Sequence, residues 1–270
     1  MPELPEVETT VRGLATVLEG QVIARVAVNR PDLRRPFPAD LAQALIGARV
    51  TGMGRRAKYG LVHTDRARTM VFHLGMSGRW RIDPEDIGKH DHLVLETAGG
   101  RVLALNDARR FGSVDLVVSD ALDAWGPFAA LGPEPLGEGL TPKHLRAAFR
   151  DRGAAVKLLL LDQRIVAGLG NIYVCEALNR AGIHPERAGG KVSRAALERL
   201  VPLIREVLEE AIAAGGSTLR DYVQPDGELG YFAKDWRVYG REGDACPCGG
   251  TVQRIVQGGR STFFCARCQK

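Results

Sequence analysis

With 270 residues, 45% of them hydrophobic and 26% charged, the chain has ordinary globular composition, which excludes a disordered or collagen-like polymer. Lys and Arg number 37 against 32 Asp and Glu, a formal charge of +5 that favours an anionic partner without naming one. No apolar run approaches the roughly 18 residues of a spanning helix, and the N-terminus lacks the basic and apolar regions of a secretory leader, so the cytoplasm is the expected compartment.

The chain opens MPELPEVETT, with two prolines and three glutamates in its first eight residues. Pro5 suits the first turn of a helix, where its fixed φ is an advantage and its missing N–H costs nothing. Val7, Val11, Leu14 and Leu18 continue that helix at 3.6-residue spacing, Glu6 and Glu8 fall where the dipole favours acid, and Gly20 stops it. Pro2 has no such explanation. From there to about residue 120 the pattern breaks into short segments, VIARVAV, GLVHT, TMVFHL, HLVLET, RVLALN and SVDLVV, separated by Gly, Pro, Asp and Asn. This spacing predicts strands, with a hairpin turning at Gly99-Gly100, and their number predicts a sandwich or flattened barrel.

WGPFAALGPEPLGEGLTP is dense in glycine and proline and carries no period, which predicts a linker over 126–141. Thr141 then caps a helix with Pro142 in its first turn. Further helices are expected over AAVKLLLLD and NIYVCEALNRAGI, and a long one from Ser193 to Gly215 with Pro202 inside it as a predicted kink. Near the end, Cys246-x-Cys248 and Cys265-x2-Cys268 stand sixteen residues apart. Four soft ligands in two close pairs suit tetrahedral Zn²⁺ in a structural role, since a catalytic zinc keeps one position open. The turn QGGR between the pairs would carry Arg260 at a hairpin tip, suited to a phosphate. Cys175, alone on an apolar helix, reads as a small core residue.

Four stretches share a direction: PELPEVE at the start, RRAKYG at 55–60, HLGMSG at 73–78 with DARRFG at 107–112, and GLGNIY at 168–173 followed by the cysteine hairpin. In this order and spacing, over the whole length, they resemble the bacterial formamidopyrimidine-DNA glycosylase family, bifunctional repair enzymes for oxidised purines. The resemblance implies an α+β fold of two domains: an N-terminal β-sandwich flanked by helices, and a C-terminal helix–two-turn–helix domain with a zinc-finger hairpin. Their expected extents are 1–125, a linker at 126–141, 142–235, and 236–270. It also implies a monomer acting on double-stranded DNA, nucleoid-associated only through that DNA, with one structural zinc on Cys246, Cys248, Cys265 and Cys268. The damaged nucleotide would be flipped from the stack.

The resemblance assigns roles residue by residue. Pro2, once Met1 is removed, presents a secondary amine with a reference pKa of roughly 7.7–8.0, low enough to act as a nucleophile near neutrality. Glu3 would handle protons. Lys58 matches the lysine of β-elimination, and Arg260 the finger-tip arginine implicated in δ-elimination. His73, His90, Arg109, Arg152, Lys157, Asn171 and Tyr239 fall at positions near DNA or the lesion. Met76, Arg109 and Phe111 match the trio that fills the vacated stack and pairs with the orphaned cytosine. Residues 217–232 resemble the loop that closes over the extruded base. Two departures stand out: the first cysteine pair is one residue shorter than C-x2-C, and Ala108 replaces a frequent proline. The related endonuclease VIII type, which removes oxidised pyrimidines, usually starts PEGPE and lacks the trio, so Leu4 and the trio favour purines. A non-catalytic zinc-finger DNA-binding protein would not need Pro2, Glu3 and Lys58 together, and a zinc ribbon for structured RNA leaves the N-terminus unexplained.

Overall fold

The computed structural model describes residues 1–217, 224–225, 227 and 230–270, so most of the expected base-closing loop lies outside the described residues. Two compact units share the chain: residues 1–129 with 212–233, and residues 130–211 with 234–270. The extents expected from sequence had placed 212–233 with the C-terminal helices.

In the first unit, α1 (Leu4–Leu18) begins where Glu3 and Glu6 form a capping box, with Pro5 in its first turn. Its stripe of Leu4, Val7, Val11, Leu14 and Leu18 is buried. The strands β1 (Ile23–Val28), β2 (Val50–Arg56), β3 (Tyr59–Thr64), β4 (Arg68–His73), β5 (Arg79–Ile82), β6 (Asp91–Thr97), β7 (Val102–Asn106) and β8 (Ser113–Val118) follow, with the short helix α2 (Leu41–Leu45) after β1. They form two antiparallel four-stranded sheets, ordered β1-β6-β7-β5 and β2-β3-β4-β8. Val62, Met70 and Val114 from one sheet and Leu93, Leu95, Leu103 and Leu105 from the other join α1 in one core, where Phe72 meets Trp80 edge-on at 5.6 Å. Burying each such leucine contributes about 1.5–3 kcal/mol. The β6–β7 hairpin turns at Gly100, whose φ of +81° only glycine adopts at little cost. Two strands escaped the sequence pattern: β2 is broken by Gly52 and Gly54, and β5 is four residues with two arginines.

After α3 (Gly126–Ala129), the second unit starts in the Gly/Pro-rich stretch. That stretch is held, because the Arg205 guanidinium donates to the carbonyls of Pro135, Gly137 and Leu140 at 3.2, 3.0 and 2.8 Å. Helix α4 (Pro142–Phe149) is capped by the Thr141 hydroxyl, which accepts from His144 N–H at 3.0 Å. Helices α5 (Val156–Leu161), α6 (Asn171–Ala181) and α7 (Arg194–Ala213) follow, and Gly182 ends α6 at φ +68°. Helix α7 runs on past Pro202. Strands β9 (Gln253–Gln257) and β10 (Arg260–Phe264) pair antiparallel, Gln257 opposite Arg260.

Candidate active site and metal centre

Pro2 and Glu3 are buried at the head of α1. The Glu6 carboxylate holds this end from two directions, accepting from Glu3 N–H at 2.7 Å and from Ser217 N–H at 2.9 Å. Glu6 therefore fastens the start of the chain to a residue 211 positions later, which its place in the first turn did not reveal. The β2–β3 turn sits beside α1: Arg55 Nε reaches Glu8 at 2.9 Å and its guanidinium also donates to the Ala57 carbonyl. Burial alone would raise the Glu8 carboxyl, but hydrogen bonds and charges from Arg55 and Arg12 hold it below the usual carboxylate range. Ala57 takes a left-handed φ of +52°, and Lys58 follows, buried to 8% exposure. RRAKYG is thus an anchored turn with its cations largely enclosed.

The loops after β4 and β7 interlock. Gly75 has φ +64°, and a Cβ there would lie 2.3 Å from the Phe111 carbonyl carbon. Asp107, fully buried, accepts from the Ser77 hydroxyl at 2.7 Å and from Gly112 N–H at 2.8 Å, which locks one loop to the other. From this base Met76 and Phe111 stand 39% and 44% exposed, unusual for large apolar side chains, and the Arg109 guanidinium lies 4.9 Å over the Phe111 ring. The arrangement offers an apolar wedge and a cation together.

His73 ends β4 and packs on Tyr59 at 4.8 Å. Burial, with the positive charges of Lys58, Arg34 and Arg35, pushes its imidazole down to about 4. Gly75 N–H donates to its Nδ1 at 3.0 Å, so the neutral ring carries its proton on Nε2, a donor for an anion. His90 is half-buried 6.3 Å from His92, and Arg152 is exposed on the loop after α4.

In the second unit, Gly168 at φ +82° opens the turn into α6, and Gln163 clamps that turn, accepting from Gly168 N–H and donating to the Leu169 carbonyl, both at 2.8 Å. Asn171 starts α6, where unsatisfied N–H groups and the dipole suit an anion. Its Nδ2 donates to the Ser261 carbonyl at 2.9 Å and lies 3.4 Å from the Tyr239 hydroxyl. Arg260 is exposed where β10 begins, after Gly258 and Gly259, both of positive φ. Lys157, expected near DNA, is instead fully buried: its ammonium donates to Thr262 Oγ1 at 2.6 Å and the Ser261 carbonyl at 3.2 Å. The lysine braces the strand that carries Arg260, because a buried ammonium needs acceptors on every available side. Tyr239 packs between Trp236 and Phe263. The buried Glu176 carboxylate accepts from the N–H groups of Arg237, Val238 and Tyr239 at 2.9, 3.0 and 2.8 Å, a role no local sequence pattern signals.

The thiols of Cys246, Cys248, Cys265 and Cys268 converge within 4.8 Å of one another, with Cys246–Cys268 at 3.9 Å and Cys248–Cys265 at 3.5 Å. Zn–S bonds of about 2.3 Å in a tetrahedron set sulfur atoms about 3.8 Å apart, so the donors fit zinc with no ligand position left over. The shortened Cys-Pro-Cys knuckle still closes, through Gly249 at φ +78° and a Cys246 N–H to Gly250 carbonyl bond of 2.7 Å. Gln269 backs the site: its Oε1 accepts from Cys265 N–H at 2.8 Å and Asn179 at 2.9 Å, and its Nε2 donates to the Ile183 carbonyl. Cys175 is buried among Val238, Val252, Cys246 and Cys265 as a packing residue.

Three family models match in sequence along the chain: the formamidopyrimidine-DNA glycosylase N-terminal domain over residues 1–114, its H2TH domain over 131–223, and the zinc finger found in FPG and IleRS over 244–270. The chain is 83% identical over 270 residues to a formamidopyrimidine-DNA glycosylase of Novosphingobium aromaticivorans and 67% identical to one of Rhizorhabdus wittichii, each alignment covering both chains entirely. A Lactococcus lactis FPG variant in complex with Fapy-dG-containing DNA superposes with a TM-score of 0.92 at 36% identity, again over 100% of each chain. From identity that spans every residue, and from the three domains in order, it follows that the chain belongs to the formamidopyrimidine-DNA glycosylase family.

Proposed function

We propose that this protein excises oxidised purines, 8-oxoguanine and formamidopyrimidines, from duplex DNA and then cleaves the abasic strand, with Pro2 as nucleophile. The observation that carries this reading is the chain's start, where Pro2 and Glu3 are held in a buried position by the capping box and by Glu6. Removal of Met1 frees the Pro2 secondary amine. As an α-amine it has a reference pKa of roughly 7.7–8.0, so a useful fraction of it is unprotonated near neutrality.

The amine lone pair forms a bond to deoxyribose C1′ as the glycosidic bond breaks, its electron pair leaving on the base, which takes up the proton that the amine nitrogen sheds. Glu3 donates a proton to the ring oxygen as the sugar opens, and the nitrogen and C1′ become an iminium. Because the amine is secondary, the iminium has no N–H to lose, and its charge draws electrons from the C2′–H bond when that proton leaves. The 3′ phosphate departs in β-elimination, assisted by Lys58, and the 5′ phosphate in δ-elimination, assisted by Arg260. His73 donates from Nε2 to a phosphate while neutral, and Asn171 offers the α6 N-terminus to another. Met76, Arg109 and Phe111 enter the emptied stack, Arg109 meeting the acceptors of the orphaned cytosine. Zinc, bound by the four thiolates, cross-links the finger that carries Arg260 and takes no part in bond changes.

Incubation with an 8-oxoguanine:C duplex and borohydride tests the scheme. It should yield a covalent DNA adduct that maps to Pro2; its absence would sink the mechanism, and strong preference for oxidised pyrimidines would sink the substrate class.

A further inference from the structure

A cavity of about 330 Å³ in the second unit lies beside the loop that carries Arg152 and is lined by none of the residues assigned above. Three arginines line it: Arg146 on the last turn of α4, Arg150 just beyond it, and Arg194 at the start of α7. Its wall is fixed by backbone. Gly189 N–H donates to the Ala154 carbonyl at 2.9 Å and Gly190 N–H to the Arg152 carbonyl at 3.0 Å, and a Cβ on Gly189 would sit 2.3 Å from Leu159 Cδ1. Two passing stretches of chain are therefore sealed together, and the cavity is not an accident of side-chain placement.

The charge around it is unbalanced. Arg146 and Arg150 line the same cavity, and like charges brought together repel. Neither forms an ion pair among the described residues. Arg194 pairs with Glu198 at 2.7 Å, and Asp151 is the one carboxylate in the lining. The favourable field at a helix C-terminus accounts for one cation near α4, but not for a third arriving from α7.

We infer that this cavity binds a backbone phosphate of duplex DNA flanking the lesion. The proposal rests on the reading of the protein as a DNA glycosylase, and chiefly on the three arginines that line one cavity; Arg152, expected near DNA, leaves the same loop two residues after Arg150. A duplex touching Arg152 continues past it, and a phosphate is the anion that it presents at every step. The site lengthens the footprint and positions the duplex without reading sequence.

The test compares the full-length protein with an Arg146→Gln/Arg150→Gln double variant and an Arg146→Lys/Arg150→Lys variant. Affinity for an uncleavable abasic-analogue duplex is measured over a salt series, on DNA trimmed to the base pairs around the lesion and on DNA extended by one helical turn, about 10 base pairs, each way. On extended DNA the Gln variant should bind about 3- to 10-fold more weakly, with a log–log salt slope shallower by about 1, and the Lys variant should keep the wild-type slope. On trimmed DNA all three should give one slope. An unchanged slope on extended DNA overturns the proposal, as does an equal loss on both lengths. Titration with inorganic phosphate separates the sources: phosphate binding lost in the Gln variant without any change of slope on extended DNA would assign the cavity to a free anion and overturn the DNA reading. If the wild-type protein excises no 8-oxoguanine, the glycosylase reading itself fails, which is a separate result from an unchanged slope.

Discussion

At the scale of single residues, Glu6, Asp107 and Glu176 are buried carboxylates that hold parts of the site through defined donors. His73 has a consequence for pH. Its imidazole is held near 4 when folded, chiefly by burial, against 6.5 in the unfolded chain. Between these values the unfolded state binds more protons, so this residue's contribution to stability is fully present above about 6.5 and is lost as pH falls toward 4. His73→Gln, which cannot titrate, should flatten the rise of Tm between about pH 4.5 and 7 relative to wild type, as measured by thermal denaturation in matched buffers. The same sign argument leaves His73 neutral at working pH, so its contribution to DNA binding should be independent of pH there. Glu176 follows a different logic: three backbone N–H donors satisfy the acceptor oxygens of a carboxylate that burial removes from water.

At the scale of elements, the apolar wedge depends on two loops approaching at Gly75. Gly75→Ala would combine a left-handed φ with a Cβ driven into the backbone of Phe111. It should destabilise the protein by more than about 1 kcal/mol in denaturant titration and weaken discrimination of cytosine opposite the lesion, because Arg109 and Phe111 ride on the displaced loop. The zinc hairpin makes a second case. Chelation should release the hairpin and abolish tight DNA binding while leaving the far-ultraviolet signature of the sandwich in place, which titration with a zinc indicator followed by circular dichroism would show. Gly250→Ala should release zinc at a lower chelator concentration, since its Cβ would fall 2.7 Å from the Cys265 sulfur.

These elements differ in how far the sequence announces them. Helix α1, the β6–β7 hairpin, α6 and the cysteine pairs carry local signals, periodicity, turn glycines and ligand spacing, that survive without tertiary context. Strand β2 carries none, because Gly52 and Gly54 interrupt its pattern; at Gly54 a Cβ would meet the His63 ring at 3.2 Å, a neighbour that the sequence does not name. Of the site, Pro2 stood out as an anomaly, whereas Glu6, Gln163, Glu176 and Gln269 look like ordinary surface residues until the fold supplies backbone partners for them. The burial of Lys157 is hidden for the same reason: it is decided by what packs over the lysine, here β10.

At the scale of the whole molecule, the first unit is discontinuous. Residues 212–233 complete it, through the Ser217 N–H to Glu6 bond and through Pro225, whose carbonyl accepts from Ile82 N–H at 2.9 Å on the edge strand β5. A fragment of residues 1–129 should therefore melt at lower temperature than the same fragment joined through a flexible linker to 212–233, and calorimetry on the two would measure the difference. The arrangement also bears on synthesis. At about 5–20 residues per second, a ribosome needs on the order of 4–16 s to make residues 130–211 before the closing segment exists. Through that interval a nascent chain carries the head of α1 on an incomplete scaffold, and the Ser217 partner of Glu6 is among the last fifth of the sequence to be translated. A chain abandoned by a stalled ribosome ahead of Ser217 is therefore released with the head of α1 missing one of the two bonds that Glu6 makes, and without the zinc hairpin and Arg260.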